Sequence, residues 1–86
     1  MARPESLKLV LNTIAANVAA TMPGVEAAAV SIDRTLSSYG CNSIDRADIV
    51  WRTLDDLQLD ISVVEFSGVA DIRGLAELLC RYLEAP

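Results

Sequence analysis

The sequence predicts an all-α domain with three substantial helices, one short helix between the last two, and a long first loop. Two patterns carry that expectation. Apolar residues recur at helical spacing in three separate stretches. Proline, glycine and capping residues punctuate the chain between them. Size agrees: 86 residues make one small domain, 1–86, whose core favours a compact helical arrangement over many strands.

The first helix is expected from Glu5 to Met22. Leu7, Val10, Leu11, Ile14, Val18 and Met22 lie on one face. Ala15, Ala16, Ala19 and Ala20 favour helix and permit close packing. Pro4 suits the first turn, Glu5 complements the positive helix end, and Pro23-Gly24 stops the helix. Gly24 to Gly40 then forms the long connection. Ile32 and Leu36 are expected to pin it to the core, with a helical turn around Asp33 to Leu36. A strand at Ala28 to Ile32 is rejected because no second strand is available to pair with it.

Asn42 or Ser43 can cap the next helix, which runs to about Leu57. Asp45 and Asp48 complement its dipole. At about 100° per residue, Ile49, Val50, Thr53 and Leu57 form one arc. Ile44, Ala47, Trp51 and Leu54 form an adjacent one. Asp45, Asp48, Arg52, Asp55 and Asp56 take the remaining side. The apolar arc is wider than one core contact needs. On the wheel alone, two outcomes stand level: one arc is left for a partner, or the bundle buries both.

Ser62 can cap a short helix from Val63 to about Ser67, with Glu65 completing a capping box. Gly68 ends it. Asp71 can cap the last helix, Ile72 to Glu84, whose stripe is Ile72, Leu75, Leu78, Leu79, Tyr82 and Leu83. Gly74 weakens its first turn. Ala85-Pro86 closes the chain.

Composition excludes several classes of function. An apolar content of 52% excludes general disorder. A formal charge of -5 argues against nucleic acid and anionic lipid, and for partners with basic patches. The stretch Val25 to Val30, interrupted by Glu26, is far too short to span a bilayer. The start, Met1-Ala2-Arg3-Pro4-Glu5, lacks the apolar segment of a signal peptide. A cytoplasmic, monomeric protein is expected. Cys41 and Cys80 form no metal-ligand pattern, and no histidine exists to complete one. Cys80 falls in an apolar stripe and is expected to be buried; Cys41 is expected as a small loop residue.

Ser43, in Gly40-Cys41-Asn42-Ser43-Ile44-Asp45, stands where the long loop gives way to a helix. With no histidine to activate it, this serine is better suited to being modified than to attacking. The run resembles the Gly-x-Asp-Ser-Leu motif of acyl carrier proteins, the four-helix carriers of fatty acid and polyketide synthesis. Leu59-Asp60-Ile61-Ser62 is similar to that family's approach to its short third helix, with Ser62 in place of the usual proline. Val69-Ala70-Asp71-Ile72 followed by Leu75 resembles its lead into the last helix. Motif, spacing and helix order together cover nearly the whole chain.

The resemblance implies that Ser43 carries a 4'-phosphopantetheine arm, added by a phosphopantetheinyl transferase from coenzyme A. It implies a carrier, not an enzyme, that docks partners through the helix after the serine. Ile44, Ala47, Asp48 and Trp51 match the family's docking positions, which favours Ile44, Ala47, Trp51 and Leu54 as the partner arc. Three departures set this chain apart. Asn42 replaces the usual aspartate, removing a charge beside the transferase's metal and implying slower activation or a matched transferase. Arg46 places a positive charge in an acidic helix start. Trp51 stands where a smaller aliphatic residue is common, either as a docking anchor or as a half-buried core residue.

Gly-Cys-Asn-Ser-Ile-Asp-Arg-Ala-Asp-Ile is further similar to discrete donor carriers of β-branching cassettes in bacterial polyketide antibiotic pathways of the myxovirescin type. That likeness implies loading by an acyltransferase, decarboxylation by a ketosynthase homologue, and donation of acetyl or propionyl to an HMG-CoA-synthase homologue. Asn42, Arg46 and Trp51 are then candidates for a distinct docking face. The alternatives are a general fatty acid or chain-elongating polyketide carrier, a peptidyl carrier (less compatible with the acidic second helix), and a helical adaptor with no arm.

Overall fold

The computed structural model describes residues 3–69 and 71–84; Met1, Ala2, Ala70, Ala85 and Pro86 lie outside them. Three α-helices are present: α1 (Pro4–Thr21), α2 (Ser43–Asp56) and α3 (Ile72–Glu84). No strand occurs among the described residues; an isolated antiparallel bridge joins Thr35 to Asp71. The all-α expectation holds, with one correction. The short helix expected at Val63 to Ser67 is a single 3-10 turn, Val63–Phe66. Ser62 caps it by accepting from the Val64 N–H at 3.3 Å. Glu65 makes no return bond among the described residues, so the expected capping box does not form there. Without it, and with Gly68 two residues on, nothing extends the turn.

α1 is the element on which the other two helices pack. Val10, Ile14 and Val18 are completely buried along its inner stripe. They meet Ile49 and Leu54 of α2 and Ile72, Leu75 and Leu79 of α3 in one apolar cluster. Cys80 is buried in it as expected, and so is Cys41, which sequence spacing alone leaves in a loop. Burying a Leu or Ile side chain stabilises such a domain by about 1.5–3 kcal/mol each, so these few residues dominate its stability.

One polar contact joins α1 to α2 inside this apolar cluster. Asn17, on the buried face of α1, donates from Nδ2 to Thr53 Oγ1 and to Asp56 Oδ2, both at 3.0 Å. Thr53 Oγ1 in turn donates to the Ile49 carbonyl at 2.7 Å. A buried amide must find such partners or lose its hydration without compensation. The network therefore fixes the register of α1 against α2, which an apolar stripe specifies only loosely.

The long connection is stitched down at several points. Leu36 is buried as expected. Ile32 is only half-buried and lies outside the apolar cluster; Val25, Val30 and Tyr39 do the pinning instead. The expected turn forms slightly later, as a 3-10 turn at Leu36–Tyr39 capped by Thr35, and a second one occupies Ala27–Ala29. Tyr39 Oη donates to the Ala29 carbonyl at 3.0 Å and accepts from the Ser31 N–H at 2.6 Å. The Ile72 N–H donates to the Arg34 carbonyl at 2.9 Å, and Arg73 pairs with Asp33. The loop thus closes against the start of α3. Asp71 caps α3 as expected, accepting from the Gly74 N–H at 2.7 Å. A Cβ at Gly74 would stand 2.7 Å from that same Asp71 oxygen, so a side chain there would push the capping carboxylate aside.

Asn17→Ala is expected to lower unfolding stability by about 1–3 kcal/mol in urea titrations. Asn12→Ala, an exposed change on the same helix, is expected to stay within about 0.5 kcal/mol. Equal effects would show that the buried amide is dispensable.

Candidate functional site

The loop reaches α2 through a tightly determined junction. Gly40 has φ 91°, in the left-handed region that glycine adopts without strain. The turn sends Cys41 inward, where it is 6% exposed, and brings Asn42 to the N-cap. Asn42 Oδ1 accepts from the Asp45 N–H at 2.8 Å, and Asp45 Oδ2 accepts from the Asn42 N–H at 3.1 Å. This reciprocal capping box pairs two backbone donors at the helix start, those of Asn42 and Asp45. Of the two cap candidates, Asn42 takes the role. Ser43 becomes the first residue of α2, exposed, with a hydroxyl that makes no hydrogen bond among the described residues.

Beside Ser43 lies a cavity of about 280 Å³. It exists because α2 and α3 each pack mainly on α1, leaving a gap between them that the Val63–Phe66 turn only partly covers. Leu36, Val50, Phe66 and Leu75 form its buried floor. Ser43, Arg46, Ala47, Val64, Ser67 and Asp71 stand exposed around its mouth. Val64, from the 3-10 turn, is 74% exposed although apolar.

The structure separates the two arcs of α2. Ile49, Val50 and Thr53 face the core, and Leu57 packs against it. Ile44 and Trp51 are 79% and 59% exposed, with Ala47 exposed between them. Leu54, grouped with them on the wheel, is 3% exposed and belongs to the core. It lies at the far end of the arc, inside the apolar cluster, so it is unavailable to a partner. Asp48 is half-buried and pairs with Arg52 at 2.9 Å. Arg46 stands on the cavity side of the helix.

The chain has no histidine, and the neighbouring Asp45 carboxylate is committed to the Asn42 N–H. No cluster of ligands that could hold a metal ion occurs among the described residues. Burial pushes the thiols of Cys41 and Cys80 above their ordinary value, with nearby carboxylates adding to the shift. What remains is a free primary alcohol on a rigid helix start beside an apolar hollow.

A family model described as the phosphopantetheine attachment site matches residues 14–79, from the middle of α1 to α3. The chain belongs to the acyl carrier protein family. This carrier protein is also 33% identical, over 70 residues, to the polyketide biosynthesis acyl-carrier-protein AcpK of Bacillus subtilis (strain 168). That alignment covers 81% of the chain and 85% of the relative. No solved structure gives a significant match. Carrier proteins of this family bear 4'-phosphopantetheine covalently on a serine. The uncommitted Ser43 hydroxyl and the adjoining cavity fit such a group.

Leu54→Ala is expected to cost about 2–5 kcal/mol of stability, whereas Trp51→Ala is expected to cost under about 1 kcal/mol yet reduce turnover with a cognate acyl enzyme. Urea titration and transfer kinetics on both variants check this; a large stability loss for Trp51→Ala with normal transfer would place the indole in the core. The buried thiols are expected to alkylate far more slowly with iodoacetamide in the folded apo protein than in urea. Folding favours their neutral form, so that contribution to stability holds below their ordinary value of 9.0 and is lost as pH rises through the raised folded value.

Proposed function

We propose that this protein carries acyl groups as thioesters on a 4'-phosphopantetheine arm attached to Ser43, within polyketide biosynthesis. In this reading it donates acetyl or propionyl to an HMG-CoA-synthase-like enzyme during β-branching. The observation that carries the attachment is the capping box: Asn42 and Asp45 cap the helix start, so Ser43 projects a free hydroxyl to solvent. A polyketide setting is supported by the likeness to AcpK.

A tethered thioester gains from the arrangement in a definable way. The arm keeps cargo at high effective concentration once the domain docks. Ile44, Ala47 and Trp51 supply an exposed apolar strip that starts beside the tether and runs about two helical turns along α2, with Asp48 beside it. Trp51 supplies the large anchor that interface hot spots favour. A phosphopantetheinyl transferase, an acyltransferase, a decarboxylating ketosynthase homologue and the HMG-CoA-synthase homologue would meet this face in turn. The β-branching role is supported by the motif run around Ser43 and by the Asn42, Arg46 and Trp51 departures.

Intact mass tests the attachment. After incubation with coenzyme A and a promiscuous transferase, the wild type is expected to gain one phosphopantetheinyl group and Ser43→Ala none; an unchanged wild-type mass would leave an arm-free adaptor. Holo protein loaded with malonyl then tests the partner. Decarboxylation followed by acyl transfer to an HMG-CoA-synthase homologue is expected, and chain extension without that transfer would favour an elongating carrier.

A further inference from the structure

Around Ser43 one cation is left without a partner among the described residues. Arg52 pairs with Asp48, Arg73 pairs with Asp33, and the Arg34 guanidinium lies 5.9 Å above the Tyr39 ring. Arg46 forms no ion pair among the described residues. It is exposed at the mouth of the cavity that Ser43 also borders. The nearest carboxylates on its own helix are already engaged, Asp45 with the Asn42 N–H and Asp48 with Arg52. Asp71 also borders the mouth, and its carboxylate accepts from the Gly74 N–H.

Arg46 follows Ser43 by three residues in α2. Such residues are neighbours on a helix surface, with Cβ atoms about 5–6 Å apart. Helical side chains lean toward the N-terminus, so a long arginine at this position extends back toward the serine. Any anion bonded to Ser43 Oγ therefore falls within reach of the guanidinium. A phosphodiester there would add negative charge to a first turn that already holds Asp45. Guanidinium is suited to phosphate, since its fork can meet two oxygens at once.

We propose that Arg46 is a positioning residue that holds the phosphodiester of the Ser43 arm. The contact turns the arm across the cavity mouth toward Val63 and Val64, away from the Ile44–Trp51 strip. The proposal rests on the reading of Ser43 as the attachment site. One other anion shares the chemistry: the free carboxylate of a dicarboxylic acyl cargo. That carboxylate lies at the far end of the arm, whereas the phosphodiester is bonded to the serine oxygen itself. Geometry favours the phosphodiester. The pair is exposed, so it is salt-sensitive and releases readily when a partner enzyme takes the arm.

The test uses holo protein carrying a ¹³C-labelled arm, as wild type, Arg46→Gln and Arg46→Lys, with the arm confirmed in each by intact mass. Nuclear Overhauser contacts are measured between the arm's gem-dimethyl group and the Val63 and Val64 methyls, together with the ³¹P shift. In the wild type, contacts are expected at low salt and a several-fold weakening near about 1 M salt, where screening is short-ranged. Arg46→Gln is expected to lose them at both salts, and Arg46→Lys to keep part. Identical contacts and ³¹P shifts in wild type and Arg46→Gln would overturn the proposal. So would an Arg46 dependence seen only with malonyl-loaded and never with acetyl-loaded or unloaded arm, which would assign the guanidinium to the cargo. A wild type that takes no arm would overturn the carrier reading and this proposal together, whereas an armed protein with Arg46-independent contacts would overturn this proposal alone.

Discussion

The paired hydrogen bonds between Asn42 and Asp45 decide what the start of α2 presents to solvent. A helix leaves its first backbone N–H groups without internal partners, and some side chain near the end must accept from them. Had Ser43 taken that role, its oxygen would be tied to the backbone and the helix would begin a residue later. Because Asn42 takes it, Ser43 sits inside the helix with its hydroxyl released. The left-handed Gly40 and the buried Cys41 place Asn42 where it can cap. A four-residue stretch thus couples loop conformation, core packing and the exposure of one alcohol.

The bundle around this junction is asymmetric. α1 carries the contacts to both other helices, and the Asn17–Thr53–Asp56 network locks its register against α2. α3 is tied less to α2 than to the long loop, through the Ile72–Arg34 backbone bond, the Thr35–Asp71 bridge and the Arg73–Asp33 pair. The gap between α2 and α3 is left to a single 3-10 turn, and the cavity beside Ser43 follows. A full helix at Val63 to Ser67 would cover more of that space.

Charge divides the same small region into two functional sides. Toward Ile44 and Trp51, α2 shows an apolar strip with the Asp48–Arg52 pair beside it. Toward the cavity it shows Arg46, which forms no ion pair among the described residues. Ala47 lies between the two, exposed and bordering the cavity mouth as well as the apolar strip.

Periodicity and punctuation sufficed for the three helices, because Pro4, Pro23, Asn42 and Asp71 bracket apolar stripes whose spacing admits little else. Ser43 was legible for the same reason, through its position and the missing histidine. Leu54 was misplaced because a helical wheel shows angular position but not where along its length a helix leaves its neighbour. Ile32 was misplaced because a loop has no period to say which apolar residue turns inward. Asn17 and Cys41 left no pattern at all; a buried amide is recognisable only once Thr53 and Asp56 are seen opposite it. Local sequence therefore determined which segments coil and which hydroxyl stands at a helix start. Only the packed structure decided which arc of α2 is free and where a hollow opens, since both depend on residues distant in the chain meeting across space.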